Sequence, residues 1–315
     1  MANEPKTLQE AVLYFSDADN CLAYLVARRW PKGIVCPTCG SKEVGFVASR
    51  RLFQCKTRHP KAQFSIKLGT IFEDSPLGLE KWLPAMWMIA SDRNGISSWE
   101  LHRALGVTQK TAWFMLHRIR LAMQDEQTGG KLAGEVEVDE TFIGGKARNM
   151  HADKRSEKIT GTGGQGKAIV AAVLERGGKV RAKVVGTRRK PELQAMVREH
   201  VEPGSALYSD ALKSYEGLGE FAHQVIDHAI AYVDGNVHTN NCENFWSLLK
   251  RGLKGTYVSV EPFHLFRYVD EQAFRYNNRL PMEDSERFTF LVRKAIGKRL
   301  TYAELIGKPE GEKPF

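Results

Sequence analysis

The sequence predicts an α/β protein in which a mixed sheet with flanking helices follows a small cysteine-containing ribbon and a helical region. Three observations carry this prediction. Two close pairs of metal-ligand side chains stand near the N-terminus, a helix–turn–helix pattern follows them, and from Glu135 onward short apolar strands alternate with helical segments. Such alternation is typical of α/β domains. With 315 residues, 42% of them hydrophobic, the chain can bury a sizeable core.

Basic residues are concentrated in one N-terminal segment. Residues 28–67 contain ten lysines and arginines against one acid, Glu43, and the resulting net charge of +9 equals that of the whole chain. Such a concentration is typical of a surface that binds a polyanion, and nucleic acid is the leading partner. No stretch has the length and composition of a membrane span, and the first ten residues lack a signal-peptide layout. We therefore expect a cytoplasmic protein with no membrane partner.

The ribbon is predicted from the spacing of four side chains. Cys36 and Cys39 form a Cys-x2-Cys pair, and Cys55 and His59 form a Cys-x3-His pair after 15 intervening residues, which is enough for a two-stranded hairpin. Two such pairs supply four soft ligands in a tetrahedron, the arrangement of a structural Zn²⁺ site. A redox-active Cys-x2-Cys motif is the alternative, but no thioredoxin-like pattern surrounds these cysteines. The other cysteines, Cys21 and Cys242, are expected to be small buried side chains.

Helices are predicted on both sides of the ribbon. Residues 8–29 predict two short helices, and Leu79–Ala90 predicts a buried one. Residues 95–120 then predict a short helix, a glycine-containing turn and a second helix capped by Thr108, which is the helix–turn–helix layout.

The second helix of this pair has two predicted faces. We expect the inward face to carry Ala112, Leu116, Ile119 and Met123. We expect the outward face to carry Gln109, Lys110, His117 and Arg118. The outward residues are of types that contact bases and phosphates. Many helical hairpins share this pattern without touching DNA, so the DNA-binding interpretation depends on the adjacent basic segment.

The segment Glu135–Gly145 alternates valines with acids, which is the period of a strand with one apolar face. Glu135, Glu137 and Asp139 are predicted to share the other face, open to a site. Like charges on one strand face are unfavourable unless a cation or a basic ligand lies there. A solvated edge strand with lysine partners is the simpler alternative at this stage.

The rest of the chain predicts the order strand, strand, helix, strand, helix or turn, strand, helix. The corresponding segments are residues 169–174, 179–185, 192–201, 205–209, 211–218, 223–226 and 240–251. Together with the acidic strand this order is that of a ribonuclease-H-like mixed sheet. A phosphate-binding loop is rejected at Gly161–Lys167, because Ala168 and a strand follow where a hydroxyl residue and a helix are required.

These motifs resemble those of bacterial insertion-sequence transposases of the DDE type, in the group with a zinc ribbon ahead of a ribonuclease-H-like domain. The resemblance spans roughly residues 10 to 280. The segments that carry it are Cys36–Cys39, Phe64–Ser65, Gly69–Phe72, Val138–Lys146, Tyr208–Asp210, His238–Asn240 and Glu243–Arg251.

The resemblance implies a site and a reaction. Asp139, Asp210 and Glu243 would be the catalytic carboxylates that bind Mg²⁺ or Mn²⁺, and Lys250, two turns after Glu243, would contact substrate DNA. Asn240 lies one turn from Glu243 on the same helix face and stays open as an accessory or third residue. The implied activity is metal-dependent cleavage at the element's ends, followed by joining of the 3′-OH to target DNA.

The resemblance also implies partners and leaves two other functions open. Double-stranded DNA is the expected partner, bound by a homo-oligomer at the nucleoid. A transposase-derived DNA-binding regulator and a ribonuclease-H-like nuclease without strand transfer are the alternatives.

We expect the chain to be organised in four regions, with the three carboxylates converging in the third. The regions are helices and ribbon (1–75), helix–turn–helix (76–128), catalytic domain (132–285) and C-terminal tail (286–315).

Overall fold

A computed structural model describes most of the chain, namely residues 4–124, 130–145, 153, 166–226, 238–280 and 282–307. The chain forms two compact units, one of Met1–Gln124 with Asn278–Phe315 and the other of Asp125–Asn277. The predicted polar loop after Gly145 and nearly all of the glycine-rich motif before Ala168 lie outside the described residues. In the described ranges, no helix combines the length and apolar character needed to cross a membrane.

The first unit begins with two helices and the ribbon, as predicted. Helix α1 (Leu8–Tyr14) and helix α2 (Ala18–Arg29) are each capped by a side-chain oxygen from the residue before them. The ribbon is an antiparallel sheet of β1 (Val44–Val47), β2 (Leu52–Cys55) and β3 (Gln63–Phe64). The predicted hairpin is thus confirmed, and the structure adds β3 as a third strand.

Three helices follow the ribbon. The predicted buried helix is α3 (Leu79–Ser91), and α4 (Ser98–Leu105) and α5 (Gln109–Met123) are joined by a tight turn. Gly106 ends α4 at φ +64°, a left-handed conformation that favours glycine. Thr108 caps α5 by accepting the N–H of Thr111. The four predicted inward residues of α5 are all buried, which confirms that face.

Two side chains predicted to face outward on α5 are buried instead. His117 has no exposed surface and Arg118 is 4% exposed. The Arg118 guanidinium donates to the carbonyl oxygens of Leu300 at 3.0 Å, Ile71 at 2.9 Å and Glu73 at 2.7 Å. The prediction was wrong because distant segments cover this face, and the periodicity of one helix does not show what packs on it.

The second unit is built on a five-stranded sheet in the order β6-β5-β4-β7-β8. Strand β5 runs antiparallel to both β4 and β6, whereas β7 and β8 run parallel to β4. Every strand that the sequence predicts after residue 134 is present. The strands are β4 (Glu135–Ile143), β5 (Ala168–Glu175), β6 (Val180–Val185), β7 (Ala206–Asp210) and β8 (Ala222–Ile226).

Helices cover both faces of this sheet. On one face Val136 and Val138 join the apolar core formed with α6 (Lys190–His200). On the other face the core is formed with α7 (Asn240–Gly255) and α8 (Leu265–Asn277). Because successive strand residues point to opposite faces, Glu135, Glu137 and Asp139 point toward the α7 side, as predicted. Cys242 of α7 and Cys21 of α2 are both fully buried, which confirms their expected packing role.

The chain then returns to the first unit. Helix α9 (Asp284–Lys294) begins two residues before the segment expected as a tail, and helix α10 (Tyr302–Leu305) lies within that segment. Phe288 of α9 is 1% exposed, and its ring centroid lies 4.8 Å from that of Trp87 and 5.6 Å from that of Phe15. The C-terminal segment therefore completes the apolar core of the first unit.

Replacing Arg118 tests its structural role. We expect Arg118→Met to lower the free energy of unfolding by about 3 kcal/mol, because the apolar stem is kept while three carbonyls, two of them buried, lose a charged donor. The matched control is Lys110→Met on the exposed surface of the same helix. Urea denaturation checks the difference, and equal losses in the two variants would contradict the assignment.

Candidate functional site

Two of the three predicted catalytic carboxylates lie on neighbouring parallel strands. Strands β4 and β7 pair in register, with Val138 opposite Ser209. Asp139 and Asp210 occupy the next step of that register, so they lie side by side on one face of the sheet. The Asp210 charge contributes to a raised pKa at Asp139, in keeping with this proximity.

Asp139 is held by two hydrogen bonds. Its Oδ2 accepts from the indole Nε1 of Trp246 on α7 at 2.8 Å, and its Oδ1 accepts from the Glu140 backbone N–H at 2.8 Å. Burial raises the pKa of Asp139 to about 7; the Trp246 bond opposes this shift, and the charges of Glu140 and Asp210 add to it. Asp139 therefore lies where negative charge is costly and a cation would be stabilised.

Glu140 faces the opposite side of the sheet and is also enclosed. Its Oε2 accepts from the Tyr215 hydroxyl at 3.1 Å, and its Oε1 lies 3.2 Å from the Arg188 guanidinium. Burial raises the pKa of Glu140, and the charge of Asp210 adds to that shift. This side chain was not singled out from the sequence, because its partners are more than 45 residues away in the chain.

Glu137, expected to face an open site, is fully buried under the start of α7. Its carboxylate accepts the backbone N–H groups of Asn241 and Cys242 at 2.9 and 3.1 Å, and Arg176 Nε lies 2.9 Å away. Glu135, the third acid on this face, is exposed, accepts from the Tyr208 hydroxyl at 2.9 Å and lies 3.5 Å from Arg176. The shared face is confirmed, but a helix covers its centre.

Glu243 lies on one edge of α7. Phe245 contacts Tyr276 of α8, with ring centroids 5.4 Å apart, and α8 packs against β6. Trp246 lies 100° further round the helix and contacts β4, and Glu243 lies 60° beyond Trp246, away from Phe245. The Glu243 edge of α7 therefore points away from the core formed with α8.

The predicted neighbours of Glu243 occupy the same exposed part of α7. Glu243 and Asn240 are exposed, and Lys250 is half-buried two turns along. Among the residues that the structure describes, the ribbon is the one place where three or more Cys, His, Asp or Glu ligand atoms all lie within 4.8 Å of one another. The register thus puts Asp139 and Asp210 at neighbouring positions, while the ligand atoms of Asp139, Asp210 and Glu243 do not all lie within 4.8 Å of one another.

The four ribbon residues do meet. Cys36 Sγ lies 3.4 Å from His59 Nε2, Cys39 Sγ lies 3.7 Å from Cys55 Sγ, and all four ligand atoms lie within 4.8 Å of one another. These separations suit the edges of a tetrahedral Zn²⁺ site, and a Cys₃His set is a typical structural donor set. Although desolvation opposes it, hydrogen bonds from the backbone of Cys39 and Thr38 lower the pKa of the Cys36 thiol to about 6. The predicted zinc site is supported.

The basic segment divides into internal and surface side chains. Arg29 donates to the Ile66 and Leu68 carbonyls, and Lys67 donates to the Ser75 and Leu77 carbonyls, so these two charges organise the ribbon's surroundings. The basic side chains left exposed on the ribbon and its flanks are Lys32, Lys42, Arg50, Arg51, Lys56, Arg58 and Lys61.

The two remaining predicted DNA contacts on α5 differ in exposure. Lys110 is exposed, whereas Gln109 is half-buried and donates through Nε2 to the Ser98 hydroxyl at 2.8 Å. In the structure, Gln109 therefore ties α5 to the start of α4.

Comparison with known proteins gives two family matches. Residues 131–277 match the ISXO2-like transposase domain, and residues 16–57 match the transposase zinc-ribbon domain. The ribbon match contains the three cysteines, and the structure adds His59 just beyond it.

Two relatives carry related descriptions. An uncharacterized protein in transposable element ISH50 of Halobacterium salinarum is 29% identical over 250 residues, which cover 75% of this chain and 82% of that protein. An uncharacterized transposase-like protein of Haemophilus influenzae is 32% identical over 102 residues, which cover 32% of this chain and 82% of that protein.

Metal analysis tests the ribbon site. We expect the wild-type protein to retain about one Zn²⁺ per chain after dialysis against a chelator, because four preorganised ligands hold it. Cys55→Ala should lose its zinc under the same conditions, whereas Cys21→Ala should keep it because Cys21 lies outside the cluster. Zinc content is measured by mass spectrometry of the dialysed proteins. Full zinc retention by Cys55→Ala would exclude the ligand set.

The raised pKa of Asp139 predicts a pH-dependent stability in buffer without added divalent cations. The folded pKa is about 7 against a model-peptide value of 3.8, so between these values the unfolded chain releases a proton that the folded chain retains. Stability therefore falls as pH rises from about 4 to about 7 and is then constant.

The variant Asp139→Asn should remove this pH dependence. We expect it to be about 4 kcal/mol more stable than the wild type at pH 8 and similar at pH 4, as read from denaturation curves. Glu135→Gln, on the same strand face but exposed, serves as the control. A wild-type stability that rises between pH 4 and 7 relative to Asp139→Asn would contradict the assignment.

Proposed function

Because the chain belongs to the family of transposases with an ISXO2-like transposase domain and a transposase zinc ribbon, we propose that it cuts and joins the DNA ends of its insertion sequence by DDE-type chemistry. The observation that carries the proposal is the parallel pairing of β4 with β7 up to Val138 and Ser209, which makes Asp139 and Asp210 the next residues along the two strands, together with the contribution of the Asp210 charge to the raised pKa of Asp139. A regulator that only binds DNA has no need of this arrangement. The strand order and the two helical layers support a ribonuclease-H-like fold for the second unit.

Asp139, Asp210 and Glu243 are the residues that would hold Mg²⁺ or Mn²⁺. The donor set fits such an ion, since Mg²⁺ prefers carboxylate oxygens and is usually held by few protein ligands. The electrostatics fit as well, because burial and neighbouring acids raise the pKa of Asp139 to about 7, a penalty that a cation offsets. Bound there, the metal would activate the attacking hydroxyl and stabilise the leaving oxygen.

The chain's own residues orient the reacting groups. Trp246 Nε1 and the Glu140 N–H fix the two oxygens of Asp139, so this carboxylate has one orientation. Lys250, two turns beyond Glu243, supplies positive charge for a DNA phosphate along the same helix. In the proposed cycle, water cleaves the phosphodiester at the element's end, and the freed 3′-OH then attacks target DNA at the same site.

Binding of the DNA ends is assigned to the first unit. The exposed basic residues of the ribbon and Lys110 of α5 provide phosphate contacts, and Gln109 stays the candidate for a base contact at the start of that helix. Arg118 is not part of this surface, because its guanidinium is occupied inside the unit. Assembly of a homo-oligomer on the DNA, in the cytoplasm at the nucleoid, belongs to the same proposal.

A cleavage assay tests the catalytic assignment. We expect the wild type to nick duplexes that carry the flanking ends of its own locus in the presence of Mg²⁺ or Mn²⁺. Asp139→Asn, Asp210→Asn and Glu243→Gln should each lower the nicking rate by about three orders of magnitude, while end binding is retained. Asn240→Ala should lose much less if Glu243 is the third ligand, and Glu135→Gln is the matched control.

Each outcome separates the competing functions. Strand-transfer products on a supercoiled target support the transposase, whereas nicks without joining indicate a nuclease. End binding without any nick in both metals indicates a regulator and overturns the catalytic proposal. Loss of nicking in Asn240→Ala, with nicking retained in Glu243→Gln, would transfer the third position to Asn240.

A further inference from the structure

The N-terminus of α7 is held by a side chain from the neighbouring strand. Thr239 precedes the helix, but its side chain makes no capping hydrogen bond. Glu137 Oε2 instead accepts the backbone N–H groups of Asn241 at 2.9 Å and Cys242 at 3.1 Å. These are the second and third amides of the helix, which a capping residue normally satisfies. Glu137 therefore caps α7 from β4.

The capping carboxylate is enclosed and fully partnered. Glu137 has no exposed surface, and its Oε1 accepts from Asn241 Nδ2 at 2.8 Å and from Arg176 Nε at 2.9 Å. A buried carboxylate is tolerated only where hydrogen bonds and positive charge replace water. Here two helix amides, the positive end of the helix dipole and Arg176 do so. Arg176 also donates to the His238 carbonyl at 3.0 Å, which fixes the chain just before α7.

This contact links the two segments that carry the proposed ligands. Asp139 lies two residues beyond Glu137 on the same strand face, and Glu243 directly follows Cys242 in the first turn of α7. First turns fray when their amides lack acceptors, and Glu243 lies in the turn exposed to that fraying. One turn later, Trp246 donates to Asp139 and gives the helix a second attachment to β4.

We propose that Glu137 is a positioning residue that sets the separation of Asp139 and Glu243 and thereby the affinity of the site for a divalent cation. It touches neither DNA nor metal in this assignment. The inference rests on the proposed function, because Glu243 matters here as the third ligand. The positioning role predicts that a substitution of Glu137 changes the metal affinity of the folded protein. If Glu137 only stabilised the fold, the metal affinity of the folded variant would equal that of the wild type.

Mn²⁺ titration of the zinc-loaded, full-length protein provides a readout that does not require activity. Zn²⁺ in the ribbon is not displaced by Mn²⁺, because Mn²⁺ binds such sites more weakly. We expect Glu137→Gln, which keeps the side-chain size but places an amide against the helix N–H groups, to weaken Mn²⁺ binding by about tenfold or more. Glu135→Gln, the exposed acid on the same face, should stay within about twofold of the wild type.

A second variant, Glu137→Asp, keeps the test possible where Glu137→Gln does not fold. Glu137→Asp retains the charge but shortens the side chain by one methylene, so it should fold and still bind Mn²⁺ more weakly than the wild type. Thermal unfolding and circular dichroism establish that each variant is folded before titration. Wild-type Mn²⁺ affinity in a folded Glu137→Gln, or in Glu137→Asp where only that variant folds, overturns the inference.

The cleavage assay separates this inference from the proposed function. If the wild type cleaves and the Glu137 variants need no more metal than it does, the positioning role fails and the transposase proposal stands. If the wild type binds Mn²⁺ but cleaves no DNA end, the proposed function fails, while weaker Mn²⁺ binding in the variants still supports positioning. A wild type that binds no Mn²⁺ outside the ribbon overturns both.

Discussion

The arrangement of the second unit follows from three carboxylates on one face of β4. Each has a different environment, although they are spaced two residues apart. Glu135 is exposed and lies near Arg176, and Glu137 is neutralised by the α7 terminus and Arg176. Asp139 accepts two hydrogen bonds but forms no ion pair within the described residues, and its pKa is raised to about 7. The acid left without cationic compensation is the one beside Asp210.

The same constraint explains why α7 lies where it does. A helix N-terminus is the one backbone feature that presents several free N–H groups with a positive dipole end, so it suits a buried acid. Once Glu137 accepts those amides, the helix runs along β4 in the direction of Asp139, and Trp246 reaches that carboxylate one turn later. Helix capping by Glu137 and the Trp246 hydrogen bond together fix α7 against β4, and with it the position of Glu243 along that strand.

Local patterns made much of this predictable, and non-local contacts made the rest unpredictable. The valine–acid alternation of β4 gave its two faces, and the Cys-x2-Cys and Cys-x3-His spacing gave the ribbon cluster, because both are encoded within a few residues. The burial of Arg118 depends on carbonyls near residues 71 and 300. The capping by Glu137 joins positions more than 100 residues apart. Neither of these two contacts can be predicted from the periodicity of a helix.

The ribbon zinc site and the proposed site for a divalent cation also differ in how they are assembled. The ribbon ligands come in two close sequence pairs on one hairpin, and their atoms meet within 4.8 Å without further contacts, as a closed structural site requires. The carboxylates come from three distant segments, and Glu243 stays exposed on α7. Three carboxylates that converge on one point repel one another unless a cation lies between them. In the proposed cation site, the position of Glu243 relative to Asp139 therefore depends on the attachment of α7 to β4 through Glu137 and Trp246.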